Sequence, residues 1–381
     1  MTYLFFFFRC LEKIIKFIKF ISKYNALKRR NFINNVFISS LGLGSMGSIN
    51  PYKYFSAFPY KLSLAQFSLA RYTSQEGYDV YSFAETAHKL GFQGLEYMSV
   101  LYKGGFFQPN SSFGLAEAKK VAKESLKRSN DYGLKNLLIM VDGEGNLANK
   151  DRKYNDNSVE NHKKWIDCAS EMGCHSIRVN LDSDGSLNDW TNNSVESLNK
   201  LCEYAKSFGI NVIIENHTTY SGSGGESYAA NPDYIINVIK KVDYDNIGTL
   251  ADFGNWCQSF KKRDRSELIS RFRDNNQKDD EPEVKTTSMY FSTCDKMYDI
   301  YEGVSKLLPY AKAVSAKVNS FDENGEDLDI DYTKMLKVVK DSNYSGYISV
   351  EQQASYEDNI DPIEAINLTK ELLLKSWNKL S

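Results

Sequence analysis

Short strand-like runs alternate with longer amphipathic stretches from Lys61 to the end of this sequence. Most of the runs follow a helix-like stretch that ends in a Gly or Asn turn, which is the usual stop signal of a helix. Alternation of this kind predicts βα units and a parallel sheet. Eight such units predict an α/β fold, a closed (β/α)8 TIM barrel over about residues 61–375. The predicted strands lie near 61–69, 91–98, 134–143, 174–181, 210–217, 247–255, 313–320 and 346–352.

Polar residues fall on the interior side of these strands, because alternate residues of a strand face opposite sides. Val212 and Ile214 would face the helices, which leaves Glu215 and His217 facing inward. The same parity applies to the other strands, and the active sites of barrel proteins lie at the C-terminal ends of the strands. We therefore expect a polar site at this mouth, with further inward residues Glu96, Arg178, Asn180, Asp252, Ser315, Lys317 and Glu351.

Two segments lie outside the barrel pattern. Residues 258–296 form a charged insertion after the sixth strand, which we place on the face where βα loops lie. Residues 1–50 are predicted to be an N-terminal targeting region, because Arg29 and Arg30 resemble a twin-arginine export signal and precede an apolar stretch. The first 25 residues are unusual upstream of such a signal, which fits an extended start. The prediction is export to the periplasm.

An alternative to export is a basic amphipathic helix on a membrane surface, in a protein that stays in the cytoplasm. No apolar run reaches the roughly 18 residues of a membrane span, so we predict no stable membrane span. The formal net charge is −2, which lacks the basic excess of nucleic-acid-binding proteins. The six cysteines include no CxxC pair, so they indicate neither a zinc ribbon nor a disulfide framework. Nothing in the sequence indicates an oligomeric state.

Three strand-end motifs carry a family resemblance: IIENH at 213–217, LADFGN at 250–255 and YISVE at 347–351. GLE at 94–96 and IRVN at 177–180 support them. In this order and spacing the chain resembles the xylose isomerase-like TIM-barrel superfamily, the sugar phosphate isomerase/epimerase group, over about residues 61–375. The run YAKAVSAK at 310–317 resembles an exported subgroup with a twin-arginine leader.

The resemblance implies a divalent metal held by a Glu, an Asp, a His and a Glu on strands five to eight. The matching residues are Glu215, Asp252, Ser315 and Glu351, so the histidine is replaced. The family's second histidine corresponds to Asn255. A site of carboxylates and a serine is rich in oxygen and suits Mn²⁺, Mg²⁺ or Ca²⁺ better than Zn²⁺. The chain has four histidines in total, too few for the trinuclear zinc site of the endonuclease IV branch, which excludes DNA repair.

Buried acids of like charge are costly unless cations or protons compensate them, so these carboxylates indicate a functional site. We expect an isomerase or epimerase that acts on a non-phosphorylated sugar, with Glu215 and Glu351 as the proton-transfer pair and Lys317 as a third catalytic group. The expected substrate contacts are His217, Arg178, Asn180, Glu96, Asn255 and Trp256.

The sequence leaves several alternatives open. Lys317 is either a proton-transfer group beside a metal or the cation that replaces the metal, and Arg178 either binds substrate or neutralises Glu215. Trp256 either stacks on a sugar or packs in the core. Two further functions use the same residues: a lyase or hydrolase on keto-sugars or glycosides, and a sugar-binding barrel without catalysis.

Overall fold

The computed structural model describes residues 58–73, 75, 77–105, 113–182, 184–218, 228–256 and 298–380. Within them, eight parallel strands close into a barrel in the order of the chain, which confirms the (β/α)8 prediction. The strands are β1 Leu62–Ala65, β2 Gly94–Met98, β3 Lys135–Met140, β4 Ser176–Val179, β5 Asn211–Glu215, β6 Ile247–Asp252, β7 Ala311–Val318 and β8 Ile348–Gln352. The predicted targeting region 1–50 and the insertion 258–296 lie outside the described residues.

Helices follow the strands and cover the outside of the barrel. The longer ones are α1 Phe83–Lys89, α2 Leu115–Asp131, α3 Arg152–Met172, α4 Leu187–Lys206, α5 Pro232–Lys241, α6 Ile300–Leu307, α7 Tyr332–Asp341 and α8 Pro362–Asn378. Short helices lie at Ala70–Thr73 and Ala354–Glu357, and 3-10 turns at Gln66–Leu69, Val80–Ser82, Ser99–Lys103, Tyr228–Ala230 and Leu308–Tyr310. Among the described residues, no helix is both long and apolar enough to cross a membrane.

Local side-chain chemistry sets the ends of these helices. Ser186 caps α4 by accepting the N–H of Asp189, whose carboxylate accepts the N–H of Ser186 in return. This reciprocal pair satisfies two donors that the first helical turn leaves without partners. At the other end of a helix, Gly173 stops α3 in the left-handed region at φ 73°, where a side chain is strained.

Six strands end two to four residues earlier than the sequence predicted, and side-chain contacts account for two of these ends. The first stops at Ala65 rather than at residue 69, because the chain turns into a 3-10 helix in which the Gln66 side chain accepts the N–H of Met98. The sixth stops at Asp252 rather than at residue 255, because the carboxylate of Asp252 captures the next two backbone N–H groups. The seventh strand lies two residues earlier than predicted, at Ala311–Val318.

The apolar core has two parts, as strand parity requires. Val212 and Ile214 belong to the outer part between strands and helices, which confirms their predicted direction. The inner part fills the barrel itself with Met98, Leu138, Met140, Ile213, Leu250 and Ala313. In β5, β6 and β7, the polar residues Glu215, Asp252 and Ser315 follow these apolar residues toward the C-terminal ends of the strands. The apolar interior therefore forms a floor beneath the polar site.

Candidate active site

Three carboxylates meet in the barrel interior. Glu215 ends β5, Asp252 ends β6 and Glu351 lies in β8, and all three are buried. Each contributes one oxygen to a group whose members lie within 4.8 Å of one another. The three acids predicted from the sequence as metal ligands are thus brought together by the closed barrel, although 136 residues separate Glu215 from Glu351 along the chain.

Asp252 is the most firmly held of the three. Its Oδ1 accepts the N–H groups of Gly254 at 2.8 Å and of Asn255 at 2.7 Å. The Asn216 side chain brackets its backbone, donating to its carbonyl at 3.0 Å and accepting its N–H at 2.8 Å. Its Oδ2 has no hydrogen-bond partner among the described residues. One oxygen is therefore fixed by the turn while the other remains available to the site.

Glu215 contacts two donors on neighbouring elements. Asn255 donates its side-chain N–H to Oε1 at 2.9 Å, and Nε of Arg178 lies 2.8 Å from Oε2. The second contact is an ion pair rather than a well-aligned hydrogen bond, since the Nε–H group is not directed at an acceptor. Arg178 also holds the carboxylate of Asp142. The contact with Glu215 matches one of the two sequence alternatives for Arg178, and substrate binding by this residue stays a prediction.

Glu351 has its own cation on the adjacent strand. The ammonium of Lys317 lies 2.8 Å from Oε1 of Glu351, and the Ser315 hydroxyl donates to Oε2 at 3.3 Å. The same ammonium lies 4.9 Å from the centre of the Phe67 ring. Lys317 is therefore in the acid cluster, as its inward parity on β7 predicted.

Burial of like charges shifts the titration of the cluster. Burial raises the pKa of Glu215 to about 8, with Arg178 opposing and Glu351 adding to the shift. Burial likewise raises the pKa of Asp252 to about 7, and Lys317 opposes this. For Lys317, burial disfavours the charge, but Glu351, Asp252 and Glu215 outweigh it and the pKa is raised. The cluster therefore favours partial protonation of these acids unless a further cation compensates them.

The remaining predicted polar residues of the site differ in their burial and in their hydrogen-bond partners. Glu96 is fully buried, accepts the Ser63 hydroxyl at 2.8 Å, and has its pKa raised to about 7 by burial. His217 is half-buried, with Nδ1 3.1 Å from the Thr218 carbonyl, and burial lowers its pKa to about 3. Because a carbonyl only accepts, Nδ1 carries the proton and Nε2 is an acceptor. Asn180 donates to Asp142 at 2.9 Å.

Trp256 lies in the core rather than on an open surface. Its indole N–H donates to the Asp252 carbonyl at 3.0 Å, and the side chain is 1% exposed. Its ring fills the space over Gly303 of α6, where an added Cβ would clash with a ring carbon. Packing, the second sequence alternative for this residue, is the arrangement observed.

Asp142 is a site residue that the sequence analysis did not select. It follows β3, and its carboxylate accepts from Arg178 and Asn180. Strand parity contained the signal: Leu138 and Met140 face the interior, and Asp142 is the next residue in that series.

The donor set fits a hard divalent cation. Three carboxylates from different strands offer clustered oxygens, and Oδ2 of Asp252 has no hydrogen bond within the described part of the chain. Carboxylate oxygens are the ligands that Mg²⁺, Mn²⁺ and Ca²⁺ prefer. Glu215, Asp252 and Glu351 would hold such an ion.

A family model described as xylose isomerase-like TIM barrel matches residues 84–372. None of the curated proteins matches the chain significantly. Solved structures share the fold. A D-tagatose 3-epimerase-like protein is 17% identical with a TM-score of 0.55, over 84% of this chain and 100% of that one.

Two other structures are similar to a comparable degree. A 3-keto-D-glucoside 4-epimerase from E. coli is 14% identical with a TM-score of 0.52, over 82% of this chain and 98% of that one. The IolI protein, whose crystal structure holds a zinc atom, is 15% identical with a TM-score of 0.54, over 84% of this chain and 98% of that one. At these identities the likeness shows the fold.

Proposed function

Because the chain belongs to the xylose isomerase-like TIM-barrel family, we propose that it is a sugar isomerase or epimerase that acts on a non-phosphorylated sugar. The observation that carries the proposal is the pair Glu215 and Glu351, which lie in one buried cluster but are held by different cations on different strands. Two carboxylates at one site supply the two proton positions that such a reaction needs.

The proposed chemistry moves one proton of the sugar. One carboxylate of the pair removes the proton from the carbon beside the sugar carbonyl, which leaves an enediolate. Return of a proton to the other face of the same carbon inverts its configuration. Return to the former carbonyl carbon, with transfer of the hydroxyl proton from the neighbouring oxygen to the former carbonyl oxygen, moves the carbonyl group. Lys317 balances the charge of Glu351 at 2.8 Å and is placed to exchange a proton with it.

We further propose a divalent ion at Glu215, Asp252 and Glu351, with Mn²⁺, Mg²⁺ or Ca²⁺ preferred over Zn²⁺ because Ser315 replaces the imidazole ligand. When bound, such an ion polarises carbonyl and hydroxyl oxygens. The chain's own residues set the geometry around it. The turn after β6 fixes Asp252, and Asn255 orients Glu215 through its amide.

The preference for a substrate without phosphate rests on the charges of the site. The two cations of the acid cluster are engaged by carboxylates, Arg178 by Asp142 and Glu215 and Lys317 by Glu351. Within the described part of the site, a phosphate group would meet acids rather than a free cation. The neutral His217 and the side-chain oxygen of Asn180, which has no partner in the described residues, instead offer acceptors to sugar hydroxyls.

A second candidate is a sugar-binding barrel without catalysis. It is favoured by Ser315, which stands where the family places a metal-binding histidine, and by the donors that already occupy Glu215 and Glu351. Under this alternative the cluster would bind hydroxyls without moving a proton.

The test is NMR of candidate keto- and aldo-sugars with the protein in deuterated water. Solvent deuterium at a sugar carbon without bond cleavage supports the isomerase or epimerase. Cleaved or dehydrated products would indicate a lyase or hydrolase, and saturable binding without exchange would indicate the non-catalytic barrel. The panel includes each sugar with and without phosphate, so that the substrate class is read from the same spectra.

Glu215→Gln and Glu351→Gln serve as paired variants in this test. Each keeps the shape of the side chain and removes a base, so we expect deuterium incorporation to fall about 10²- to 10⁴-fold. Glu371→Gln, on the exposed face of α8, is the matched control and should retain the wild-type rate. Full exchange by both site variants would place the chemistry elsewhere.

A further inference from the structure

Asp142 holds Arg178 from the side opposite Glu215. Nη1 of Arg178 donates to Oδ1 of Asp142 at 3.2 Å, and Nη2 lies 3.1 Å from Oδ2. Asp142 thus meets both terminal nitrogens of the guanidinium, through a hydrogen bond at Nη1 and an ion-pair contact at Nη2, while Nε lies 2.8 Å from Oε2 of Glu215. The three side chains span β3, β4 and β5, which are neighbours in the barrel.

Asp142 is itself fixed at its backbone and its side chain. Its N–H donates to the Ser99 hydroxyl at 2.9 Å, and that hydroxyl donates back to the Asp142 carbonyl at 3.1 Å. Asn180 donates to Oδ1 at 2.9 Å. The ends of β2 and β4 therefore hold the acid in place, and Asp142 presents a rigid carboxylate to the guanidinium.

A flexible arginine needs such an anchor to act as a directed donor. A planar guanidinium gripped at two points is fixed in both place and plane, whereas a one-point contact leaves rotation about the side chain. Neither the contact from Nε to Glu215 nor that from Nη2 to Oδ2 of Asp142 is an aligned hydrogen bond. The aligned hydrogen bond between Arg178 and these two acids runs from Nη1 to Asp142, so Asp142 is the acid that orients the guanidinium beside Glu215.

We propose that Asp142 is a positioning residue for Glu215, acting through Arg178 and not on the substrate. This inference rests on the proposed function, because it assigns Glu215 a part in proton transfer. Without the fork, the guanidinium turns away and the Glu215 carboxylate loses its fixed orientation. Displacement of a catalytic group by about 1 Å lowers turnover by up to about 100-fold.

The experiment combines Asp142→Asn with Arg178→Lys, alone and together. Asn keeps the shape and the acceptor for Asn180 but loses the ionic fork, and Lys keeps the positive charge but has no fork to be held. We expect Asp142→Asn to lower kcat about 10- to 100-fold and to change KM less than threefold. In the Arg178→Lys background, the same substitution should lower kcat less than threefold further. Asp131→Asn, at the exposed end of α2, is the control and should change kcat less than threefold.

Independent losses in the two backgrounds, or a loss confined to KM, would overturn the proposal and make Asp142 a structural or substrate-contacting residue. A readout without activity separates this from the proposed function. In a crystal structure of Asp142→Asn we expect Arg178 Nε more than about 4 Å from Glu215. An unmoved guanidinium refutes the positioning role. A wild-type protein inactive on every sugar refutes the proposed function, while the crystal structure still decides the role of Asp142.

Discussion

The ammonium of Lys317 lies 2.8 Å from a carboxylate oxygen of Glu351, and the two residues are direct partners in the register of β7 and β8. Both side chains are less than a tenth exposed, at 6% and 4%. In a buried pair each charge depends on the other, because a single charge left in the interior has no compensation. The pair therefore links the stability of the barrel to the chemistry of its mouth.

Lys317→Met should lower the free energy of unfolding by about 3–5 kcal/mol, because it leaves Glu351 buried without its partner. Denaturant unfolding with a linear extrapolation measures the change. The double variant with Glu351→Gln removes both charges and should recover most of the lost stability without restoring activity. A loss below about 1 kcal/mol in the single variant would show that Glu351 is compensated by another group.

Strand parity predicted most of the site before any contact was known. Val212 and Ile214 occupy alternate positions of one run, so Glu215 had to face the interior, and it does. The same rule placed Lys317 and Glu351 on the inner face of their strands. Periodicity is a local property, so the sequence was sufficient for the fold and for the direction of each side chain.

The pairing of those side chains was not accessible in the same way. Which acid Lys317 contacts depends on the register of β7 against β8. Which acids Arg178 contacts depends on the register of β4 against its neighbours β3 and β5. Both are relations between distant parts of the chain. The early end of β6 depends equally on a contact of the Asp252 carboxylate with the following turn, which replaces strand pairing.

Glu96 makes the stability of the folded barrel depend on pH. Burial raises its pKa from 4.5 to about 7, so the folded state favours the protonated acid more than the unfolded state does. The contribution of Glu96 to the stability of the folded state is fully present below about pH 4.5 and is lost as the pH rises through 7. The loss in the free energy of unfolding is on the order of 3 kcal/mol. Glu96→Gln mimics the neutral acid, so its stability relative to wild type should increase from pH 5 to pH 8. Parallel pH curves for the two proteins would exclude an ionisation of Glu96 in this range.

His217 offers a test of substrate contact through one ring nitrogen. Nδ1 is engaged by the Thr218 carbonyl, and the lowered pKa keeps the ring neutral, so Nε2 is the acceptor left for a sugar hydroxyl. His217→Asn keeps a donor near Nδ1 but loses the acceptor, and we expect KM to rise about tenfold, the effect of one hydrogen bond of about 1.4 kcal/mol. His217→Gln places an amide near the position of Nε2, so its KM should rise less than that of His217→Asn. Equal KM values for wild type and both variants would remove His217 from the substrate site.

Export is predicted from Arg29 and Arg30, which precede the apolar stretch of the N-terminal region. Replacement of both with Lys in a fused reporter should retain the reporter in the cytoplasm, because the twin-arginine pair is the recognition element. A fusion with the unchanged segment is the control. An equal periplasmic signal from both fusions would favour the amphipathic-helix alternative.

The acid cluster of Glu215, Asp252 and Glu351 is the proposed site of a divalent ion. Protein purified without chelator should contain about one Mn²⁺, Mg²⁺ or Ca²⁺ per chain by elemental mass spectrometry, since three carboxylate ligands form an oxygen site of this kind. Asp252→Asn should bind the ion at least tenfold more weakly, because an amide can keep the turn through Oδ1 but replaces the free Oδ2 with a donor.

Thermal unfolding separates this ion from the alternative that Lys317 replaces it. An ion at about 100 times its Kd stabilises the folded state by about 2.7 kcal/mol, so chelation should lower the Tm of the wild type and leave that of Asp252→Asn unchanged. Add-back of Mn²⁺ should restore the wild-type Tm, and with it deuterium exchange into the sugar. Full exchange by protein that contains no ion would contradict the metal site, and Lys317, paired with Glu351, would then be the compensating cation.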